Sequence, residues 1–172
     1  MKTKSNTIEA FSTAGFAVGA ILIACVFSTG FINFVSAQKQ FIAELSGSSE
    51  IPAVSSAATG VAKFQLSSDG RSLDYQINVT NINAVMGAHI HSGKQGQNGP
   101  VVVGLFNPSM SGPPTGKVNG LLAKGVVNST ALEGPLTGHP ITDLVHLITG
   151  HGAYVNVHTQ QHQDGEIRGQ IG

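Results

Sequence analysis

An all-β domain, an antiparallel Greek-key-like sandwich or barrel with one short helix, is what this sequence predicts beyond its first 37 residues. Three observations predict it. Short runs of alternating apolar and polar residues recur along the chain, and clusters rich in Gly, Pro, Ser, Asn and Asp separate them. Only one stretch switches to the helical period, whereas a parallel sheet needs helices between its strands.

Residues 1–37 differ from the rest of the chain. Lys2 and Lys4 precede an uncharged run from Phe11 to Val35, and Val35-Ser36-Ala37 resembles a signal-peptidase site. The run also reaches the ~20 residues an apolar helix needs to span a bilayer. A cleaved signal peptide and an uncleaved N-terminal membrane anchor, a hydrophobic helix, are therefore the two expectations. A lipoprotein box at Leu22-Ile23-Ala24-Cys25 ranks third, because apolar sequence continues beyond the cysteine. In each case residues 38–172 form one exported domain, extracellular or at the cell surface, that meets the membrane only through the N-terminal segment.

Within that domain Phe41, Ala43 and Leu45 alternate with Glu44 and Ser46, which gives a first strand. Gly47 to Ala58 is turn-rich. Ala62, Phe64 and Leu66, the turn Ser67-Ser68-Asp69-Gly70, and Leu73, Tyr75, Ile77 and Val79 make a hairpin. The sequons at Asn78 and Asn128 are glycosylation candidates of a kind common by chance. The strand around His89 and His91 follows, then a glycine-rich loop, then Val101-Val102-Val103, apolar on both faces and expected to be central. Asn107 to Gly116 reads as a loop and Val118 to Val127 as a strand. At Pro140 the period changes: Ile141, Leu144, Val145 and Ile148 form a helical stripe that Gly150 stops. The last two strands place Val155 and Val157, then Ile167 and Ile171, toward the core.

Charge is sparse and balanced, nine Lys and Arg against nine Asp and Glu. No basic stripe offers itself to nucleic acid. The single cysteine lies in the N-terminal segment, so the domain has neither disulfide nor thiolate metal site. Its stability must come from a core, and about 135 residues suffice to bury roughly two thirds of the unfolded surface. No serine, cysteine or paired-carboxylate constellation points to hydrolysis.

All seven histidines lie beyond residue 88. His89 and His91 share one face of a strand, about 6.5–7 Å apart, while Ala88 and Ile90 face the other way. His158 occupies the polar face of a later strand beside Asn156. Three imidazoles suit copper or zinc and leave a coordination position open. His151, His162 and Asn156 are candidate accessory groups. His139 and His146 read as a cap-region residue and a solvated helix residue. Glu166 and Arg168 share a face and read as a cross-strand pair. Gly93, Gly96 and Gly99 are turn formers rather than a phosphate loop, since no helix follows them.

Glu44-Leu45-Ser46-Gly47, Ala88-His89-Ile90-His91, Gly99-Pro100-Val101-Val102-Val103, Tyr154-Val155-Asn156-Val157-His158-Thr159 and Gly165-Glu166-Ile167-Arg168-Gly169-Gln170-Ile171 resemble, in order, the motifs of the CHRD family, named for the domain repeated in chordin. The resemblance spans Phe41 to Gly172. It implies a fold similar to copper-zinc superoxide dismutase, in which a His-x-His strand and a later Val-x-His strand bind copper on the outer face of the barrel. Carried over, His89, His91 and His158 match those ligands. The bridging histidine, the zinc-loop ligands and the cysteine pair have no match, and Arg168 only approaches the region of the anion-guiding arginine.

The leading expectation is an exported domain that binds a transition metal through His89, His91 and His158 for storage, scavenging or assembly, more in keeping with a binding protein than an enzyme. One alternative is superoxide dismutase-like redox chemistry at that metal. Another is a metal-free adhesion module whose partner is an extracellular protein or cell-surface component. Histidine ligation predicts affinity that falls as pH drops through about 6.5.

Overall fold

The computed structural model describes residues 38–111 and 116–172; the expected signal or anchor helix lies outside the described residues. Eight strands form one antiparallel sheet: β1 (Gln40–Ser46), β2 (Thr59–Leu66), β3 (Ser72–Asn83), β4 (Val85–Ser92), β5 (Val101–Phe106), β6 (Lys117–Asn128), β7 (Ala153–Thr159) and β8 (Ile167–Gln170). Their order is β5-β4-β7-β8-β1-β2-β3-β6. The neighbours β4–β7, β8–β1 and β3–β6 are not consecutive in the chain, which is the Greek-key character expected. Among the described residues a helical turn α1 (Pro108–Ser111), a helix α2 (Ile141–Thr149) and three short 3-10 turns accompany the strands. Among the described residues no helix is long and apolar enough to cross a membrane.

The alternation read from sequence determines what faces inward. Phe41, Ala43 and Leu45 of β1, Ala62 and Phe64 of β2, Leu73, Ile77 and Val79 of β3, Ala88 and Ile90 of β4, Val155 and Val157 of β7, and Ile167 of β8 are all buried in one core. Each large aliphatic enclosed this way contributes about 1.5–3 kcal/mol. The β2–β3 turn is fixed by Asp69, whose Oδ1 accepts from Ser67 Oγ and from the Arg71 N–H, with Gly70 at φ 70°. Ile141, Leu144, Val145 and Ile148 of α2 are buried, and the Gly150 N–H donates to His146 O where the helix ends.

The chain changes sides of the barrel at one residue. β3 ends at Asn83 and β4 begins at Val85, yet the two strands are not neighbours. Ala84 makes that corner at φ 49°, donating to Gly116 O and accepting from Gln160 N. Bulges in the β3–β6 ladder, after Ile77 and after Val79, add curvature. The two ends of the strand order then approach each other. Tyr75 of β3 donates its hydroxyl to Leu105 O of β5 at 2.6 Å. Its ring has room because the facing residue on β6 is Gly125, where a Cβ would stand 2.9 Å from it.

Val101-Val102-Val103 was expected on a central strand and sits instead on β5, an end of the strand order. Val102 and Val103 both enter the core, with a register irregularity at Val102 in the β4–β5 ladder, and the segment after β6 runs along the other edge of β5: Val103 bridges to Leu132, and the Glu133 N–H donates to Val102 O.

Candidate metal centre

With Ala88 and Ile90 facing the core, His89 and His91 project from the outer face of the barrel. The β4–β7–β8 register sets their neighbours. Gly87 lies opposite His158, His89 opposite Asn156 and then Arg168, and His91 opposite Tyr154 and then Gln170. Ring centroids are 5.1 Å apart for His89 and His158, and 5.9 Å for each of the other two pairs. One nitrogen from each ring lies within 4.8 Å of the others, a group drawn from the described residues. A triangle of that size has its centre at most about 2.8 Å from each corner, so closure by under ~1 Å reaches a metal–nitrogen bond of 2.0–2.1 Å.

Two loops fold over this face and determine which nitrogen each histidine offers. His91 Nδ1 lies 2.9 Å from Gly99 O, and His158 Nδ1 lies 2.8 Å from Gln163 O. A carbonyl can only accept, so both rings carry their proton on Nδ1 and keep a lone pair on Nε2. Those Nε2 atoms, and Nδ1 of His89, are buried without a hydrogen-bond partner. Buried polar atoms are normally paired. Three unpaired lone-pair nitrogens aimed into one space therefore fit a copper or zinc ion.

Burial pushes His89 down to about 4, helped by repulsion from His158 and His91. Burial also lowers His91 and His158, against the carbonyls of Gly99 and Gln163 and the charge of Asp164, which favour their protonated forms. All three shifts favour the neutral ring, the form that ligation requires.

The supporting layer is largely buried. The His91 ring stacks on Tyr154 at 5.0 Å and 11°, and the Arg168 guanidinium lies 3.4 Å over the Tyr154 ring. Arg168 is 2% exposed and donates to Asn98 Oδ1 and to the carbonyls of Lys94 and Gln97. The glycine-rich loop is held by these bonds, and by the Gly99 N–H donating to Tyr154 Oη. Gly99 admits no side chain, since a Cβ there would meet Ser92 O. The expected Glu166–Arg168 pair is absent: Glu166 accepts from Ser56 Oγ, because the loop's carbonyls already take the guanidinium.

The two accessory histidines lie elsewhere. His151 is exposed at φ 53° just beyond α2, its carbonyl accepting from Gln170. His162 serves the Thr159–Gly165 turn through its backbone. Neither joins the three-histidine group. Asn156 is buried, and its Nδ2 donates to Asp164 O at 3.3 Å and approaches Glu50 Oε2 at 3.5 Å. Of the sequon asparagines, Asn128 is exposed at the end of β6 and Asn78 is half-buried within β3.

Glu50 was not anticipated. It is 6% exposed, and burial pushes its carboxyl up to about 7, outweighing Arg168, which pulls it down. It sits in a turn-rich segment with no periodicity, so nothing in the sequence marked it as buried. A family model for the CHRD domain matches residues 41–171. No curated protein matches the chain.

Proposed function

The chain belongs to the CHRD domain family, and from that premise we propose that its exported domain binds one copper or zinc ion through His89, His91 and His158, as a storage, scavenging or assembly module. The observation that carries this reading is the convergence of three buried, unpartnered ring nitrogens, two of them fixed in tautomer by backbone carbonyls. Such an ion would supply Lewis acidity or, as copper, electron exchange. His91 and His158 are held by carbonyls from two different loops, so both loops help to set the geometry of the site.

Metal analysis of the full-length chain, purified without a histidine tag, tests this. Near-stoichiometric copper or zinc is expected in the natural sequence, with loss in a His89→Ala, His91→Ala double variant. No metal in either after exposure to both ions would overturn the proposal. A three-ligand site leaves a position open to an exogenous ligand, and redox chemistry at copper held there is the second reading. Superoxide turnover by the copper-loaded protein, absent from the double variant, would support it.

A further inference from the structure

Two of the three histidines have a visible partner on the nitrogen that points away from the cluster. His89 does not: its Nδ1 is the enclosed atom without a partner, and among the described residues its Nε2 has no hydrogen-bond partner. Metal-bound imidazoles commonly donate their second N–H to a carboxylate, a carbonyl or water, which fixes the ring and raises its basicity. The partner for His89 should therefore lie on its outer side.

A cleft of about 520 Å³ opens there, lined by His89 together with Tyr75, Gly104, Phe106, Asn107 and Glu133. The other polar side chains already have one partner each. Tyr75 gives its hydroxyl to Leu105 O, and Asn107 Oδ1 accepts from the Ser109 N–H. Among the described residues, Glu133 is the one carboxylate lining the cleft. It sits over Gly104, with Oε1 3.3 Å from where a Cβ on that glycine would stand, and Gly104 is the register partner of His89 on β5.

The backbone delivers Glu133 to this place. Its N–H donates to Val102 O, the neighbouring Leu132 bridges to Val103, and its carbonyl accepts from the Leu136 N–H. Gly134 follows at φ 51°, packed so closely on Val101 that a Cβ would lie 2.6 Å from its carbonyl oxygen. The absence of a side chain at Gly104 leaves the carboxylate room beside the imidazole.

We propose that Glu133 is a positioning residue of the metal centre, taking the Nε2–H of His89 directly or through one water when the site is loaded. This rests on the metal reading above. It assigns the three histidines three anchors, two backbone carbonyls and one carboxylate, of which only the carboxylate can be changed by substitution.

The test is a double-mutant cycle on the full-length chain, reading zinc and copper affinity by competition with a chelator. Glu133→Gln is expected to weaken binding 10- to 100-fold, and Glu133→Asp to recover part of that loss. In a His89→Gln background the Glu133 change should have no further effect, because its partner is gone. Glu44→Gln, an exposed charge change on β1, should leave affinity unaltered. Equal affinity of Glu133→Gln and the natural chain, or equal loss with and without His89, would overturn the role of Glu133 while leaving the metal site standing. A natural chain that binds neither ion would instead remove the reading on which the proposal rests.

Discussion

The two halves of the barrel use the same strands differently. On β1, β2, β3 and β6 burial tends to alternate along the chain, and side chains of the outer face reach solvent, as with Glu44, Lys63 and Asp74. On β4, β7 and β8 the outer face is also enclosed: Tyr154, Asn156 and Arg168 are nearly as buried as the core valines behind them. The cover consists of two loops, the glycine-rich 93–99 segment and the 160–165 turn. The open half is a sheet with one wet side. The covered half puts polar groups where water cannot pair with them, so each one requires a partner. The nitrogens left without one mark the candidate metal centre.

The largest effect should come from removing the residue that ties the cover down. Arg168→Ala leaves Asn98 and the carbonyls of Lys94 and Gln97 without their donor and removes the positive neighbour of buried Glu50. A loss of about 3 kcal/mol is expected, from unpaired buried groups. Urea unfolding measures it; a change below about 1 kcal/mol would mean that the cover contributes little to holding the fold.

Charge in the covered half gives the next effect. Glu50 has a folded pKa raised to about 7 from 4.5, so its contribution to stability is present at low pH and is lost as pH rises toward and above 7. The histidines work oppositely: with folded values depressed, their contribution is present above about 6.5 and is lost as pH falls, for His89 toward about 4. In the metal-free protein the two trends offset each other. Glu50→Gln separates them. It should stabilise by on the order of 1–2 kcal/mol near pH 8, where the buried carboxylate is charged, and by much less near pH 5. The remaining stability of that variant should fall as the solution is acidified from about pH 7 to 4. An equal shift at both pH values would break the assignment.

The same contrast explains what was legible in the sequence. The eight strands, the core-facing residues and α2 could be read, because alternation and the helical period record which side of an element meets water. His89 and His91 could be placed on one face by spacing alone. The convergence of His158 came from resemblance, since β4 and β7 are separated by more than 60 residues and no local pattern reports their pairing. Val101-Val102-Val103 misled because two-sided burial ordinarily marks a central strand, whereas here the 129–136 segment runs along the other edge of an end strand. Glu50 was missed because loops carry no period, and a charged residue in a loop normally lies in water.

Within the covered half, Gly87 tests the geometry of the site apart from its stability. A Cβ there would stand 2.9 Å from His89 Cε1, so Gly87→Ala must push the ring out of line. Metal affinity should drop about tenfold, since outer groups that set ligand orientation carry effects of that order. Thermal unfolding of the metal-free protein should move little, because the ring has a cleft to shift into. Unchanged affinity would show that the His89 ring finds its place whatever lies beneath it.

The smallest effect belongs to the open half, and its smallness is informative. Ile42 is a large aliphatic on the outer face of β1, 47% exposed, opposite Lys63. The period-two pattern of β1 puts it on the face opposite Phe41, Ala43 and Leu45. The backbone here does not depend on its side chain: the Ile42 N–H donates to Gly172 O, and the Gly172 N–H donates to Ile42 O. Ile42→Thr keeps the β-branch that suits a strand and removes apolar surface already half in water. Stability should change by no more than about 0.5 kcal/mol. A loss above about 1.5 kcal/mol in urea unfolding would mean that this face too is covered in the folded protein, and the distinction between the two halves would fail.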